Sequence, residues 1–282
     1  MTAPAALECR RFDFLKEAQT RASRQARRRS AAGRRRAGAV ALLAALVLAP
    51  GGARAAGPCA PLSFDGVDYV TCAFDARRDD IRLYWKDADG RPYTSFAALA
   101  QALSARGRTL RFAMNAGMFE ADLSPVGLFI EDGKRLRKAD TRDGASNFHL
   151  KPNGVFWIGD GGAGVTETSR FLLNPPAARY ATQSGPMLVI DGHIHPKILP
   201  TGTSEKTRNG VCVRNGVAAI FAISDEPVTF YAFARFFLES LGCADALFLD
   251  GSVSSLYAPE LGRNDDLVPL GPMIGVSASA AP

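Results

Sequence analysis

The chain has 282 residues, with 34 Lys or Arg against 28 Asp or Glu, a formal charge of +6 and a pI near 9.2. The excess is local: residues 1–55 hold 12 basic and 3 acidic side chains, which leaves 22 against 25 in the rest. A uniformly basic nucleic-acid binder is therefore excluded, because no Lys/Arg stripe able to neutralise a phosphate backbone is expected beyond the first segment. With 47% apolar residues the remainder can bury a sizeable core.

Along the chain, a basic Ser/Ala-rich run from Arg10 to Arg36 precedes an apolar run, Ala37 to Pro50, and then Ala53-Arg54-Ala55. This is the order of a secretory leader with an Ala-x-Ala cleavage site. About 12 apolar residues at ~1.5 Å rise reach roughly 18 Å of a ~30 Å hydrocarbon core, too short for a membrane span. The expectation is cleavage near Ala55, a periplasmic or secreted product of one domain over 56–282, and no stable membrane anchor after processing. Cys9 leaves with the leader, so Cys59, Cys72, Cys212 and Cys243 form an even set in an oxidising compartment. Cys59 and Cys72 are expected to clip the first hairpin; Cys212 and Cys243 stay open between a second bridge and two buried thiols. No Cys-x-x-Cys and no Cys/His ladder supports zinc.

Two helices are signalled. Ser95 can cap Phe96–Ala105, ending at Gly107; Thr229 can cap a segment in which Phe230, Phe233, Ala234, Phe237, Leu238 and Leu241 recur on one face before Gly242. Most of the rest reads as strands. Thr109–Asn115 alternates Leu110, Phe112 and Met114 against Arg111 and Ala113. Asp132-Gly133, Asp191-Gly192 and Asn215-Gly216 each sit between apolar runs as hairpin turns. The runs 217–223 and 246–249 suit strands buried on both faces. The fold class expected is α+β, an extensive twisted mixed or antiparallel sheet with few helices; regular strand–helix alternation is absent, so Rossmann and TIM architectures fail.

Polar residues collect where these strands stop, the usual place to build a site. Asp250 leaves the buried run Leu247-Phe248-Leu249 and is followed by Gly251, Ser252, Ser254 and Ser255; it either serves chemistry or closes an Asx-turn with Ser252. Asn115 either orients a hydroxyl or holds its own tight turn. Arg208 suits a bidentate grip on phosphate or carboxylate, or is a solvated loop arginine. Ser184-Gly185-Pro186 lacks the Gly-x-Ser-x-Gly elbow of serine hydrolases. No phosphate-binding P-loop or dinucleotide fingerprint is present, and Gly159 to Gly164 reads as a surface turn. His193 and His195 read as turn-flanking residues on one strand face, not a metal pair. His149 could line a cleft as acid, base or hydroxyl partner.

Taken in order, Asn115-Ala116-Gly117-Met118-Phe119, Pro125-Val126-Gly127-Leu128, Gly154-Val155-Phe156, Ser184-Gly185-Pro186-Met187-Leu188, Arg208-Asn209-Gly210 and Leu249-Asp250-Gly251-Ser252 with Ser254-Ser255 resemble the blocks of the phosphodiester glycosidase family. The resemblance runs from about Ile81 to Gly275, as in a small bacterial single-domain member. It departs at Asp250-Gly251-Ser252-Val253-Ser254-Ser255, where the family often has Asp-Gly-Gly-Gly-Ser-Ser, and at Asn-Ala-Gly, where Asn-Gly-Gly is common.

The resemblance implies hydrolysis of the glycosidic C–O bond of a sugar-1-phosphodiester, such as an N-acetylhexosamine-1-phosphate carried by an envelope glycan. A phosphate ester is already a good leaving group and needs little general-acid help. On this reading Asp250 is nucleophile or base for water. Arg208 holds the phosphate, with donors from Ser184, Gly185, Gly251, Ser252 and Ser254. Asn115 holds a sugar hydroxyl, His149 is a secondary acid or base, and Glu120 is the candidate second carboxylate. No cofactor is implied; a structural calcium stays open, as does the anomer. The rivals are a non-catalytic glycan-binding module using Trp157, Tyr231 and Tyr257 as platforms, and a metal-dependent phosphodiesterase with Asp250 as ligand.

Overall fold

The computed structural model of the chain describes residues 57–265 and 268–280. The expected leader, its expected cleavage site and Cys9 lie outside them. Residues from Arg54 onward form one compact unit. Among the described residues no helix is long and apolar enough to cross a membrane.

The expected α+β class with few helices holds; the strands form three sheets, and every named strand pair is antiparallel. The first, seven-stranded, runs β1 (Cys59–Phe64), β2 (Val67–Asp75), β13 (Ala218–Ser224), β12 (Asn209–Arg214), β14 (Ala246–Asp250), β10 (Met187–Ile190), β11 (His193–Ile194). The second runs β16 (Arg263–Asn264), β15 (Leu256–Ala258), β4 (Arg108–Asn115), β17 (Met273–Ser279), β3 (Asp80–Tyr84). The third runs β6 (Lys134–Arg137), β5 (Phe129–Glu131), β9 (Ala178–Ser184), β7 (Gly154–Gly159), β8 (Gly162–Glu167).

A shared core joins them. Phe74, Phe221 and Leu249 from the first sheet, Phe112, Met114 and Ile274 from the second, and Phe129, Phe156 and Tyr180 from the third pack in one cluster. A chain of so many short strands must cover both sheet faces, and each outer face is closed by a small helix. These are α1 (Phe96–Ser104) on the second sheet, α2 (Thr168–Leu173) on the third, and α3 (Phe230–Arg235) on the first.

The caps are as expected: Ser95 accepts from the N–H of Ala98 and Thr229 from that of Ala232. The second helix departs from the expected pattern. After Arg235 it widens into a π turn, Phe236–Ser240, with the Leu241 N–H reaching the Phe236 carbonyl, and it stops at Gly242 with φ +64°. The extra residue per turn lets adjacent Phe236 and Phe237 both be buried against the sheet. In β4 the strict alternation fails. A bulge opposite Val276 and Ser277 leaves Arg111 without a partner, so Leu110 turns to α1 while Phe112 and Met114 face the shared core. The three hairpin turns have both central residues at positive φ, from Asp132 (50°) and Gly133 (76°) to Asn215 (53°) and Gly216 (69°).

Both cysteine pairs are bridged. Cys59 and Cys72 are directly opposite in β1 and β2, and Cys212 of β12 is tied to Cys243 just beyond the π turn. His193 is exposed and His195 fully buried, so the two rings do not share a face.

Candidate active site

Four strand ends meet in one place: β4 ends at Asn115, β9 at Ser184 and β14 at Asp250, and β12 begins at Asn209, opposite Asp250. The polar residues are delivered there because each strand's apolar body is fixed in the shared core. Asn115 is fully buried. Its Oδ1 accepts from Nδ2 of Asn209 at 3.0 Å and from the N–H of Ser255 at 2.9 Å. It therefore does not close its own turn; it ties β4 to β12 and to the loop after Asp250. Its own Nδ2 is buried with no acceptor, a donor left over for a group that the protein does not itself supply.

Asp250 is 6% exposed. Its Oδ1 accepts from the N–H groups of Ser252 at 2.6 Å and Val253 at 3.2 Å, which is the Asx-turn geometry. No side-chain donor in the described residues bonds either of its oxygens. Burial raises its pKa above the ordinary carboxylate range, partly offset by the backbone N–H groups. Ser252 is exposed and contributes its N–H, while the Ser254 hydroxyl lies 2.9 Å from the carbonyls of Thr207 and Asp250 and 3.2 Å from Asn209 Oδ1. Val253 sits outside the positive-φ region, so replacing the family's glycine strains nothing there.

Arg208 is 1% exposed, which overturns the solvated-loop alternative. Its Nε donates to the Val228 carbonyl at 2.8 Å and Nη2 to the Ser204 carbonyl at 2.7 Å. The guanidinium lies over Phe230, 3.7 Å from the ring centre. No carboxylate is within ion-pair distance of it among the described residues. Burial pushes its pKa down to about 10, which leaves it cationic at neutral pH. A Cβ on Gly251 would stand 3.1 Å from Phe248 Cζ and 3.2 Å from Arg208 Nη1, so a larger residue here would crowd the guanidinium. A buried, uncompensated cation beside a buried carboxylate's loop is suited to an anion.

The other predicted residues divide. The Ser184 hydroxyl donates to the Leu249 carbonyl at 2.9 Å and so locks β9 to the strand carrying Asp250. Gly185 is packed so that a Cβ would meet the Phe148 carbonyl at 2.6 Å. His149 ends a short 3-10 turn; its Nδ1 is 2.9 Å from Ser146 Oγ, and its buried Nε2 is 3.5 Å from Asp140 Oδ2 without a hydrogen bond. Glu120 is exposed in a turn closed by its own N–H to the Ser124 carbonyl, with Arg142 nearby. Neither His149 nor Glu120 contacts Asp250 or Arg208. Trp157, Tyr231 and Tyr257 belong to the third sheet, α3 and the second sheet respectively.

Two residues of this constellation were passed over in the sequence although their blocks were noted. Asn209 stood next to the more conspicuous Arg208. Gln183 stood next to Ser184, and its side chain bonds Leu128 N, Asp140 N and Asp140 O at 3.0, 2.9 and 2.7 Å, drawing the 127–140 segment to the site. A polar residue at a buried strand end was the available signal for both. Among the described residues there is no group of three or more His, Cys, Asp or Glu that could hold a metal.

Comparison with known proteins agrees with this layout. The family described as Phosphodiester glycosidase matches residues 108–276, which span β4 to β17 and every strand end named above. A protein of Escherichia coli K12, YigE, uncharacterized, is 32% identical over 213 residues, covering 76% of this chain and 83% of its own. Among solved structures, the catalytic domain of zebrafish N-acetylglucosamine-1-phosphodiester alpha-N-acetylglucosaminidase, auto-inhibited by its pro-peptide, superposes with a TM-score of 0.54 at 15% identity. That match covers 77% of this chain and 81% of that one.

Proposed function

The chain belongs to the phosphodiester glycosidase family, and from that premise and the site's geometry we propose that it hydrolyses the C–O bond between a sugar's anomeric carbon and a phosphodiester. The observations that carry the reading are Arg208, a buried cation with no counter-ion among the described residues, and Asp250, a buried carboxyl in the loop whose Gly251 backs onto the Arg208 guanidinium.

The Arg208 guanidinium receives the phosphate and neutralises the charge that grows on the leaving oxygen. Asp250, its proton affinity raised by burial, accepts a proton from the water that attacks the anomeric carbon. The C–O bond breaks with its electron pair going to the phosphate, so the products are a free sugar and a phosphate monoester. No acid is needed on the leaving side, which accounts for a site in which neither Glu120 nor His149 reaches Asp250. The unpartnered Asn115 Nδ2 suits a sugar hydroxyl or N-acyl oxygen. An N-acetylhexosamine is our choice of sugar. Two disulfides and the leader-like first segment support an extracytoplasmic site of action on an envelope glycan.

Turnover of N-acetylhexosamine-1-phosphodiesters in heavy-oxygen water tests the reading. The label is expected on the anomeric carbon of the released sugar. Label in the phosphate instead would mean P–O cleavage, and saturable binding without any turnover would mean a glycan-binding module.

A further inference from the structure

The segment Lys134-Arg135-Leu136-Arg137-Lys138 is a basic run in a stretch, residues 56–282, that is net acidic. In the fold these five residues are all exposed, and the first four are β6, the outermost strand of the third sheet. Among the described residues Lys134, Arg135 and Lys138 have no carboxylate within ion-pair distance. Arg137 is held by the Pro125 carbonyl at 3.1 Å and has Asp122 nearby, while Arg142 pairs with Asp140. Beside the strand lies a groove of about 480 Å³ lined by Val126, Leu136, Arg137, Lys138, Asp140 and Arg142 among others. Behind the groove a buried hydrogen-bond path ties it to the strand carrying Asp250: the Asp140 backbone bonds the Gln183 side chain, and the next residue, Ser184, donates to the Leu249 carbonyl.

Charge on an edge strand can serve only to discourage sheet-to-sheet aggregation. Here the cations continue past the strand to Lys138 and Arg142 and line a concave surface, which protection of an edge does not require. We propose that β6 and this groove form a docking track for a linear phosphate-bearing glycan, a polyol-phosphate or sugar-phosphate polymer of the kind the Arg208–Asp250 site would cleave. The groove's lining has no aromatic ring on which bases could stack, and carboxylates of Asp122, Asp132 and Asp140 interrupt the cations. Both features disfavour a nucleic acid, with its dense charge and bases, and favour flexible, spaced phosphates. The choice of polymer rests on the proposed function; the binding itself does not.

The test is binding of the full processed protein to poly(glycerol phosphate), with dextran, polyglutamate and duplex DNA as comparators, for wild type and for Lys134→Glu/Arg135→Glu/Lys138→Glu. Glutamates still blunt a sheet edge, so solubility is kept. The expected result is salt-sensitive binding of the phosphate polymer above all comparators and a loss of at least ~10-fold in the triple variant. Turnover of a low-molecular-weight sugar-1-phosphodiester is expected to stay unchanged. Should the charge reversal unfold the protein, the triple glutamine variant replaces it, with the same loss expected. Unchanged affinity in a folded variant, no binding by wild type, or equal or better binding of DNA or polyglutamate overturns the track. Because binding is read without turnover, a failed activity assay leaves this result standing.

Discussion

On the proposed function Arg208 combines two tasks that a sequence cannot separate. Its Nε and Nη2 are used on the carbonyls of Val228 and Ser204, which pins the 204–208 segment, and only the Nη1 side toward Gly251 is left to meet a ligand. Arg208→Lys keeps the charge but cannot make the two carbonyl bonds and reach the ligand together. The expected outcome is a KM for the phosphodiester raised at least ~10-fold, with stability lowered by roughly 1–3 kcal/mol for carbonyls left unpaired. Steady-state kinetics and denaturant unfolding check the two parts.

At the scale of elements, β5 carries a second burial effect away from the site. Burial, helped by the charge of neighbouring Asp132, pushes the Glu131 pKa up to about 7 from an ordinary 4.5. The folded protein thus holds this proton more tightly than the unfolded chain. The stability it gives is full below about pH 4.5 and is lost as pH rises through about 7. Glu131→Gln is expected to stabilise the protein at pH 8 by an amount on the order of 1–3 kcal/mol and to change little at pH 4, as read from melting curves at the two pH values. Other elements show how far local rules reach. Caps at Ser95 and Thr229 and the Asp-Gly and Asn-Gly turns were legible because their chemistry acts within four residues. The π turn at Phe236 and the Arg111 bulge were not, because each answers a packing demand from a distant strand. The division into three sheets was equally hidden, since nothing local tells β4 to pair with β15 and β17.

At the scale of the molecule, the candidate site is built by strand ends far apart in sequence, and its legibility follows from that. Asp250, Arg208, Asn115 and Ser184 stood out because polar residues interrupt apolar runs. Their partners Asn209 and Gln183 did not, because a buried amide is recognised by what it bonds. Glu120 is suggested by following the Asn115 block and His149 by being a histidine able to line a cleft; the fold places them beside Arg142 and Asp140. Both disulfides brace the first sheet, whose β12 and β14 carry Asn209 and Asp250. The Cys212–Cys243 bridge closes 31 residues and fastens the π turn to β12, and the Cys59–Cys72 bridge closes 13. On the chain-entropy model these are worth about 4 and about 3 kcal/mol. Cys212→Ala/Cys243→Ala is therefore expected to lower the melting temperature more than Cys59→Ala/Cys72→Ala, and equal or reversed effects would show that loop length does not govern their contribution.

The central claim is that the Asp250 carboxylate acts on the bond being broken and does not merely close its turn. Asp250→Asn separates the two, because an amide oxygen still accepts from the N–H groups of Ser252 and Val253 but cannot take a proton from water. Turnover of an N-acetylhexosamine-1-phosphodiester and the melting temperature are measured together on this variant. The account predicts a folded protein with near-normal substrate binding and turnover reduced by at least ~100-fold. A folded Asp250→Asn protein with turnover within a few-fold of wild type would contradict it.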